Sequence, residues 1–501
     1  MLAFLTGQGY VFLTDMVCGP QNWCALPTMQ AFVLASIIPF AFFSMFLLAK
    51  RYMLKFWAAA AGALYACNPY MYERLLAGHW RVAMGYAVFP ALVALVTVSF
   101  KRRHPLLLVM FSVAFALVVL ISPHWAYMGG GFLLILAVAT LGVGGFPAVT
   151  DPKREWYRRW EVMLMALLVP FFIIYGIGSS VTLPSVSGLV WGVTESDFRA
   201  FATVSDPLWG VWGNVVNLYG FWIQDALLPK DFFGAWFLIG PMLLVLSVIG
   251  LSDRVRHGDY LAITCALILP SAIVIAVGYG SPLTEPFVRS AMVHLPGFSG
   301  LRETAKAVGG IAFVYALYAP LGLRWLILRH GGSMAWKRTG AIALTFLALI
   351  SSNGLLGNFH GQVRSGEYPA SWEEAAQRLQ QEKATGLLVL PWEAYVRLPW
   401  VQGRMVANPV NAFFLVPIHS SGRSNETYHL SSETAPLDQA VYRLVQDFST
   451  LQEERSALSA AGISHVLLLM TEDAERYAAF LSEDACPRSL VTADLMLCRL
   501  K

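Results

Sequence analysis

Long apolar runs are the feature that most constrains how this chain can fold. A helix of roughly 17 to 25 apolar residues crosses the hydrocarbon core of a bilayer, and about ten runs near that length recur before residue 357. They lie near 27–48, 53–68, 83–100, 105–122, 127–147, 162–180, 233–251, 260–278, 307–328 and 339–357, the second being the shortest. Only 13% of the residues are charged, against about 25% in soluble domains. We therefore predict a mostly α, polytopic transmembrane helical bundle in the cell membrane.

Lysine and arginine are distributed unevenly among the connections between these runs. Alternate connections, beginning with the one that holds Lys50 and Arg51, carry more than twice as many basic residues as the longer connections on the other side. Because cytoplasmic loops collect Lys and Arg, the loops 1–26, 69–82, 181–232 and 279–306 and the C-terminal region are predicted to lie outside the cytoplasm. The basic clusters thus mark topology, and the net charge of +4 does not indicate nucleic-acid binding.

The N-terminal segment Met1–Phe12 is apolar but too short to span a membrane, and Gly7 and Gly9 interrupt it. It fits either the last turns of a helix that begins upstream of this chain or a segment at the outer surface. In the first case an additional span precedes the ten, and the first span is missing from this sequence.

The composition changes after residue 357, which divides the chain into a transmembrane domain, 1–357, and a small extracytoplasmic α/β domain, 358–501. Ser371 and Glu374 have the spacing of a capping box at the start of a helix. Apolar runs and alternation predict strands at 386–391, 464–470, 490–492 and 495–499.

Four cysteines fall on the predicted oxidising side. Cys18 with Cys24, and Cys486 with Cys498, are close enough in sequence to form two local disulfides. Free thiols are the alternative for each pair, and the sequence leaves both open.

Polar residues without a topological explanation gather in the predicted outer segments. Asp15 is a single acid in the first segment, and Asn68–Arg81 is predicted to form a short interfacial helix that bears Glu73, Arg74 and His79. A structural ion pair with aromatic interface anchors is the alternative reading of that helix. The loop 181–232 is rich in Trp, Tyr and Phe, which either stack on sugars or anchor the loop at the bilayer surface.

The fourth outer segment, Leu295 to Lys306, leads into the span 307–328. Arg302 and Lys306 are four residues apart, which would place them on one helical face. Cations on this side run against the positive-inside trend, so a phosphate ligand is favoured. An Arg302–Glu303 pair, or a contact between Lys306 and a lipid headgroup, is the alternative. Charged residues are nearly absent from the spans, which argues against a pump or coupled transporter.

Several of these stretches resemble the glycosyltransferase-C superfamily, and within it the arabinofuranosyltransferases of actinobacterial cell-wall synthesis. The resemblance rests on Gly9 to Met16, Asn68 to Trp80, Leu301 to Glu303, Tyr368 to Trp372 and Leu390 to Trp392. It implies a membrane enzyme that takes a sugar from a polyprenyl-phosphate donor and passes it to a glycan or lipid acceptor of the cell envelope.

The resemblance also implies roles for residues of this chain. Asp15 matches the expected catalytic base of an inverting transfer, and Arg302 and Lys306 would stabilise the leaving phosphate. Glu73, Arg74, His79 and Glu303 would help to bind donor or acceptor. Whether a divalent metal joins the site is left open. A non-enzymatic membrane protein that binds glycans or assembles an envelope complex is the alternative function.

Overall fold

The computed structural model divides into two compact units, residues 1–363 and 364–501. The residues that it describes are 26–102, 105–142, 198–199, 201–222, 226–295, 298–363, 367–393, 395–401, 405–420, 436–445, 451–471, 474–478, 481 and 486–500.

The secondary structure of the described part of the first unit is helical, apart from an isolated bridge between Asp206 and Gly210. Its α-helices are α1 Leu26–Ala49, α2 Lys55–Ala66, α3 Pro69–Leu76, α4 Trp80–Arg102, α5 Pro105–Ile121, α6 Pro123–Gly142, α7 Gly210–Val216, α8 Ile239–Arg256, α9 Tyr260–Val277, α10 Glu285–His294, α11 Val308–Arg329, α12 Met334–Ser351 and α13 Asn358–Gly361. Short 3-10 helices occupy Pro229–Phe232, Trp236–Leu238, Gly278–Gly280, Phe298–Leu301 and Thr304–Ala307.

Five stretches of the described residues are long and apolar enough to cross a membrane, which makes the chain a multi-pass membrane protein. They are Phe32–Ala49, Trp80–Val98, Trp236–Arg256, Tyr260–Gly280 and Thr304–Arg329. All five coincide with predicted spans. Four more predicted spans coincide with α2, α5, α6 and α12, and the run 162–180 lies outside the described residues. The full number of ten stays a prediction.

Helix α2 is the shortest of the helices that coincide with predicted spans. Its 12 residues extend about 18 Å at 1.5 Å per residue, less than the hydrocarbon core. Most of its residues, from Trp57 to Ala66, are buried. The helix is thus enclosed by the rest of its unit, and whether it spans the membrane stays a prediction.

Helix α11 is the centre of the first unit, since almost every residue from Val308 to Gly322 is buried. It packs on α8 through two glycines. A Cβ atom on Gly322 would lie 1.9 Å from the Leu246 carbonyl oxygen, and one on Gly250 would lie 2.3 Å from that of Tyr318. Larger residues at these positions would force the helices apart. The close packing fixes α11, and with it the charged residues just before its first turn.

The second unit is a small α/β domain, in agreement with the predicted fold class. Its strands are β1 Leu387–Leu390, β2 Tyr395–Arg397, β3 Met405–Ala407, β4 Ile418–His419, β5 His465–Leu469, β6 Arg488–Val491 and β7 Leu495–Arg499. Five strands form a sheet in the order β4-β1-β5-β7-β6, and β2 pairs with β3. Its α-helices are Ala370–Gln381, Val410–Phe413, Pro436–Val445, Leu451–Ala460 and Ala474–Ala478.

The apolar β1 and β5 runs are the core of this sheet. They pair in parallel, whereas β5–β7 and β6–β7 pair in antiparallel fashion. Leu388 and Leu468 pack into one hydrophobic cluster and Leu387 and Leu467 into another. Both faces of the sheet are therefore covered, which explains why these strands are continuously apolar.

Two sequence predictions about the second unit have clear outcomes. Cys486 and Cys498 form a disulfide, while Cys18 and Cys24 lie outside the described residues. The capping box was wrong, because the N-cap is Pro369, two residues before Ser371, and the helix begins at Ala370. Ser371 is thus inside the first turn, and its hydroxyl donates a hydrogen bond to Asp494 Oδ2 at 2.9 Å.

Candidate functional site: a buried charged cluster

Helix α3 carries the first two charged residues of the site. Asn68 caps it by accepting a hydrogen bond from the Met71 amide at 3.0 Å, and Pro69 occupies its first turn. The helix ends before Gly78, whose φ of +69° suits glycine. The predicted helix is present and every residue from Pro69 to Arg74 is buried, while its interfacial position stays a prediction. The helix therefore places the side chains of Glu73 and Arg74 in the interior of the protein.

The segment before α11 supplies the next charged residues. Two 3-10 turns, Phe298–Leu301 and Thr304–Ala307, precede the helix, and Glu303 between them has a non-helical backbone with ψ of 84°. Arg302 and Lys306 consequently do not share the helical face that their spacing predicted. Glu303 and Lys306 are buried, whereas the Arg302 guanidinium lies 4.9 Å from the centre of the Phe201 ring.

Glu303 is the central anion of the cluster. Arg74 Nη1 donates to Glu303 Oε2 at 2.9 Å, and Lys306 Nζ lies 3.4 Å from Glu303 Oε1. Lys306 Nζ is also 2.9 Å from Nε2 of His124 at the start of α6. Burial raises the pKa of Glu303, but the positive charges of Lys306 and Arg74 outweigh it and hold that pKa well below its usual range. One ionised carboxylate therefore faces two buried cations, which leaves an excess of positive charge.

Arg74 is enclosed more completely than the other cations. Its side chain is 0% exposed, and its guanidinium lies 5.5 Å from the Tyr70 ring and 5.4 Å from the Phe221 ring. Nε and Nη2 have no hydrogen-bond partner in the described part of the protein. Because only Nη1 is engaged, Arg74 acts on its surroundings through Glu303 and His79.

His79 lies at the accessible edge of the cluster, with its side chain 20% exposed. Its Nδ1 is 3.2 Å from Arg74 Nη1. A guanidinium cannot accept a hydrogen bond, so Nδ1 is the acceptor and the ring proton resides on Nε2. Burial lowers the pKa of His79 to about 4, so the ring is neutral near pH 7. The 3.8 Å separation from Glu303 Oε2 is therefore not an ion pair at that pH.

Glu73 holds a different part of the site. Its two carboxylate oxygens accept hydrogen bonds from the Gly220 amide, each at 3.2 Å. Burial raises the pKa of Glu73 to about 7, although Arg74 and the backbone amides favour the ionised form. A Cβ atom on Gly220 would lie 3.1 Å from Ala305 Cβ. Glu73 thus fixes the backbone that carries Phe221 against Arg74.

Comparison with solved structures identifies the fold around this cluster. The cryo-EM structure of arabinofuranosyltransferase AftD from Mycobacteria superposes over 98% of this chain with a TM-score of 0.60 at 15% sequence identity. The chain shares the fold of the matched part of that protein. Oligosaccharyltransferase AglB from Archaeoglobus fulgidus, in complex with an inhibitory peptide and a dolichol-phosphate, superposes over 93% with a TM-score of 0.50 at 11% identity.

This chain spans 35% of the AftD chain and 61% of the AglB chain. No family model and no curated protein matches the sequence. The likeness of this chain to known proteins is therefore one of fold.

His124 is a member of the cluster that the sequence reasoning missed. His124 follows Ser122-Pro123 at the start of an apolar run. A lone histidine there gives little signal until Lys306 is brought next to it. Asp15, the predicted base, lies outside the described residues. Within the described ranges, no three His, Cys, Asp or Glu side chains are grouped so as to hold a metal ion.

Proposed function

We propose that this chain is a membrane glycosyltransferase that transfers a sugar from a polyprenyl-phosphate donor to a glycan or lipid acceptor of the cell envelope. The observation that carries the proposal is the buried cluster of Arg74, Glu303 and Lys306, whose cations outnumber its carboxylate, within a glycosyltransferase-C fold. A fixed positive charge in a water-poor site stabilises a phosphate that gains negative charge as it leaves.

Arg302 and His79 are proposed to contact that phosphate directly. Arg302 is half-buried, and none of the described carboxylates forms an ion pair with it. His79 is the more exposed member of the cluster and presents Nε2–H as a donor. Lys306, only 6% exposed and already paired with Glu303, contributes through its charge. The direct contact with the leaving phosphate, which the sequence predicted for Lys306, is thus assigned in part to His79.

Asp15 is proposed as the general base. It would remove the proton of the acceptor hydroxyl while the acceptor oxygen bonds to the anomeric carbon. The bond from that carbon to the phosphate oxygen breaks, and polyprenyl phosphate leaves with the electron pair. Attack opposite the leaving group inverts the anomeric centre.

Transfer by the full chain in membrane vesicles tests the proposal. The vesicles would receive radiolabelled polyprenyl-phosphate pentoses and hexoses together with an envelope extract as acceptor. We expect transfer from at least one donor, its loss in Asp15→Asn, and a decrease of about 10²-fold to 10³-fold in Arg302→Met, as for the loss of one charge-stabilising donor elsewhere.

Arg329→Met is a matched control, because the Arg329 guanidinium also lies over an aromatic ring, 5.0 Å from Trp325, but at the other end of α11. It should transfer at the wild-type rate. Wild-type transfer by Asp15→Asn and Arg302→Met would overturn the residue assignments. Donor binding without turnover in the wild-type chain would favour the non-enzymatic, glycan-binding alternative.

A further inference from the structure

The turn Pro207–Trp212 exposes an unusual amount of apolar surface. Leu208 is 87% exposed, Trp209 47% and Trp212 37%. Large apolar side chains that are exposed close to one another on a protein surface mark an interaction surface.

The shape of this turn is fixed by its polar residues. Asp206 Oδ1 accepts hydrogen bonds from the amides of Leu208 and Trp209 at 3.0 and 3.1 Å. Asp206 Oδ2 pairs with Lys230 Nζ at 3.0 Å, and Gly210 adopts a φ of +64°. The turn is therefore held from its polar side, and Leu208 and the tryptophans project from the other.

The apolar side of the turn is continuous with a membrane-spanning helix. The Trp209 ring stacks on the Phe237 ring with their centres 4.4 Å apart. Phe237 belongs to the candidate span Trp236–Arg256. The next residues of that span are also exposed and apolar, with Leu238 at 57% and Met242 at 42%. Since the exposed face of a span contacts lipid, the turn lies level with the edge of the bilayer.

We propose that the turn Pro207–Trp212 inserts into the lipid bilayer at the level of its headgroups and upper acyl chains, beside the first turn of α8. Tryptophan favours this depth, because its ring is apolar and its N–H can still reach a polar partner. Leu208, the most exposed of the three, enters deepest. The ligand of this surface is thus the phospholipid leaflet itself.

Insertion would also position part of the charged site. The Lys230 amine lies 5.6 Å from the centre of the Tyr219 ring, and the following residue, Gly220, donates to Glu73. The anchored turn, Lys230 and Tyr219 thereby form a continuous path from the leaflet to the backbone that holds Glu73. The inference does not depend on the proposed sugar transfer.

Depth-dependent quenching tests the insertion. The full-length Leu208→Cys variant would be labelled with a nitrobenzoxadiazole fluorophore and reconstituted into vesicles of phosphatidylcholine and phosphatidylglycerol. We expect lipids spin-labelled at acyl carbon 5 to quench the probe at least twofold and more than those labelled at carbon 12, with shielding from aqueous iodide. Trp212→Cys provides a second site for the same measurement, and labelling of the unmodified chain sets the background.

Two further cysteines calibrate the experiment. Leu415→Cys replaces a fully exposed leucine of the second unit and should be quenched by iodide, whereas Met242→Cys on α8 should be quenched by the spin-labelled lipids. Probes at 208 and 212 that are open to iodide and insensitive to the lipids would overturn the proposal. So would shielding from both quenchers, which would mean that protein covers the turn, or a lack of lipid quenching at 242, which would remove α8 as its membrane reference.

Discussion

Replacement of Glu303 by glutamine should destabilise the chain far more than removal of the lysine paired with it. Glu303→Gln leaves Arg74 and Lys306 buried together, 0% and 6% exposed, without their common anion. Removing one partner of a buried ion pair costs about 3–5 kcal/mol, because a buried charge is left uncompensated. Lys306→Met instead leaves one carboxylate with one guanidinium at 2.9 Å, so we expect a loss of about 1–2 kcal/mol, comparable to one charged hydrogen bond.

The double variant Glu303→Gln/Lys306→Met sharpens this test, since it removes one charge of each sign. It should be clearly more stable than the sum of the single variants implies. The free energy of unfolding would be measured by denaturant titration in detergent micelles, followed by helical circular dichroism. Glu285→Gln, which alters the exposed Glu285–Arg289 pair of the same unit, is the control and should leave the free energy unchanged. Equal losses of unfolding free energy in the two single variants, or additive losses in the double variant, would refute the argument that the uncompensated buried charge determines stability.

Three other predictions concern pH and the disulfide. Burial raises the pKa of Glu73 from 4.5 to about 7, so the folded chain retains a proton that the unfolded chain has released. Stability should fall by about 3 kcal/mol as the pH rises through that interval, and Glu73→Gln should abolish this slope in pH-resolved unfolding. Burial lowers the pKa of His79 from 6.5 to about 4, so stability should fall as the pH drops through that range; a His79→Gln chain with the same acid sensitivity would contradict this. The Cys486–Cys498 bridge closes a loop with a sequence separation of 12, so Cys498→Ser should lower the stability of the second unit by about 2–4 kcal/mol, measured by the temperature at which protease begins to cleave it.

Local patterns in the sequence predicted most of the described secondary structure. Helices α1, α4, α8, α9 and α11 follow from apolar runs, because a backbone surrounded by lipid must satisfy its own hydrogen bonds. Strands β1 and β5 follow from short β-branched and leucine-rich runs between turns. The parallel pairing of β1 with β5 could not be predicted, since seven described helices and strands lie between them and leave no local signal for register.

Predictions that extended a local rule to an element boundary were wrong. The helical spacing of Arg302 and Lys306 would place them on one face only if the helix began before Arg302, whereas α11 begins at Val308. Ser371 failed as a cap for the same reason, because the N-cap lies two residues earlier, at Pro369, which places Ser371 in the first turn. In both cases the chemistry of the side chains was interpreted correctly, but the residue at which the helix begins was not predicted correctly.

Burial separates the predicted binding residues into two groups with different physical roles. Arg74, Glu303 and Lys306 are buried and form ion pairs across a sequence separation of up to 229 residues, which no local pattern reveals. Arg302 and His79 remain at the accessible edge. A buried cation acts at longer range than an exposed one, because water does not screen it. We propose that the buried group sets the positive potential of the site and that the edge residues make the hydrogen bonds to the phosphate. Lys306→Met should therefore mainly slow sugar transfer, and His79→Gln should mainly weaken donor binding.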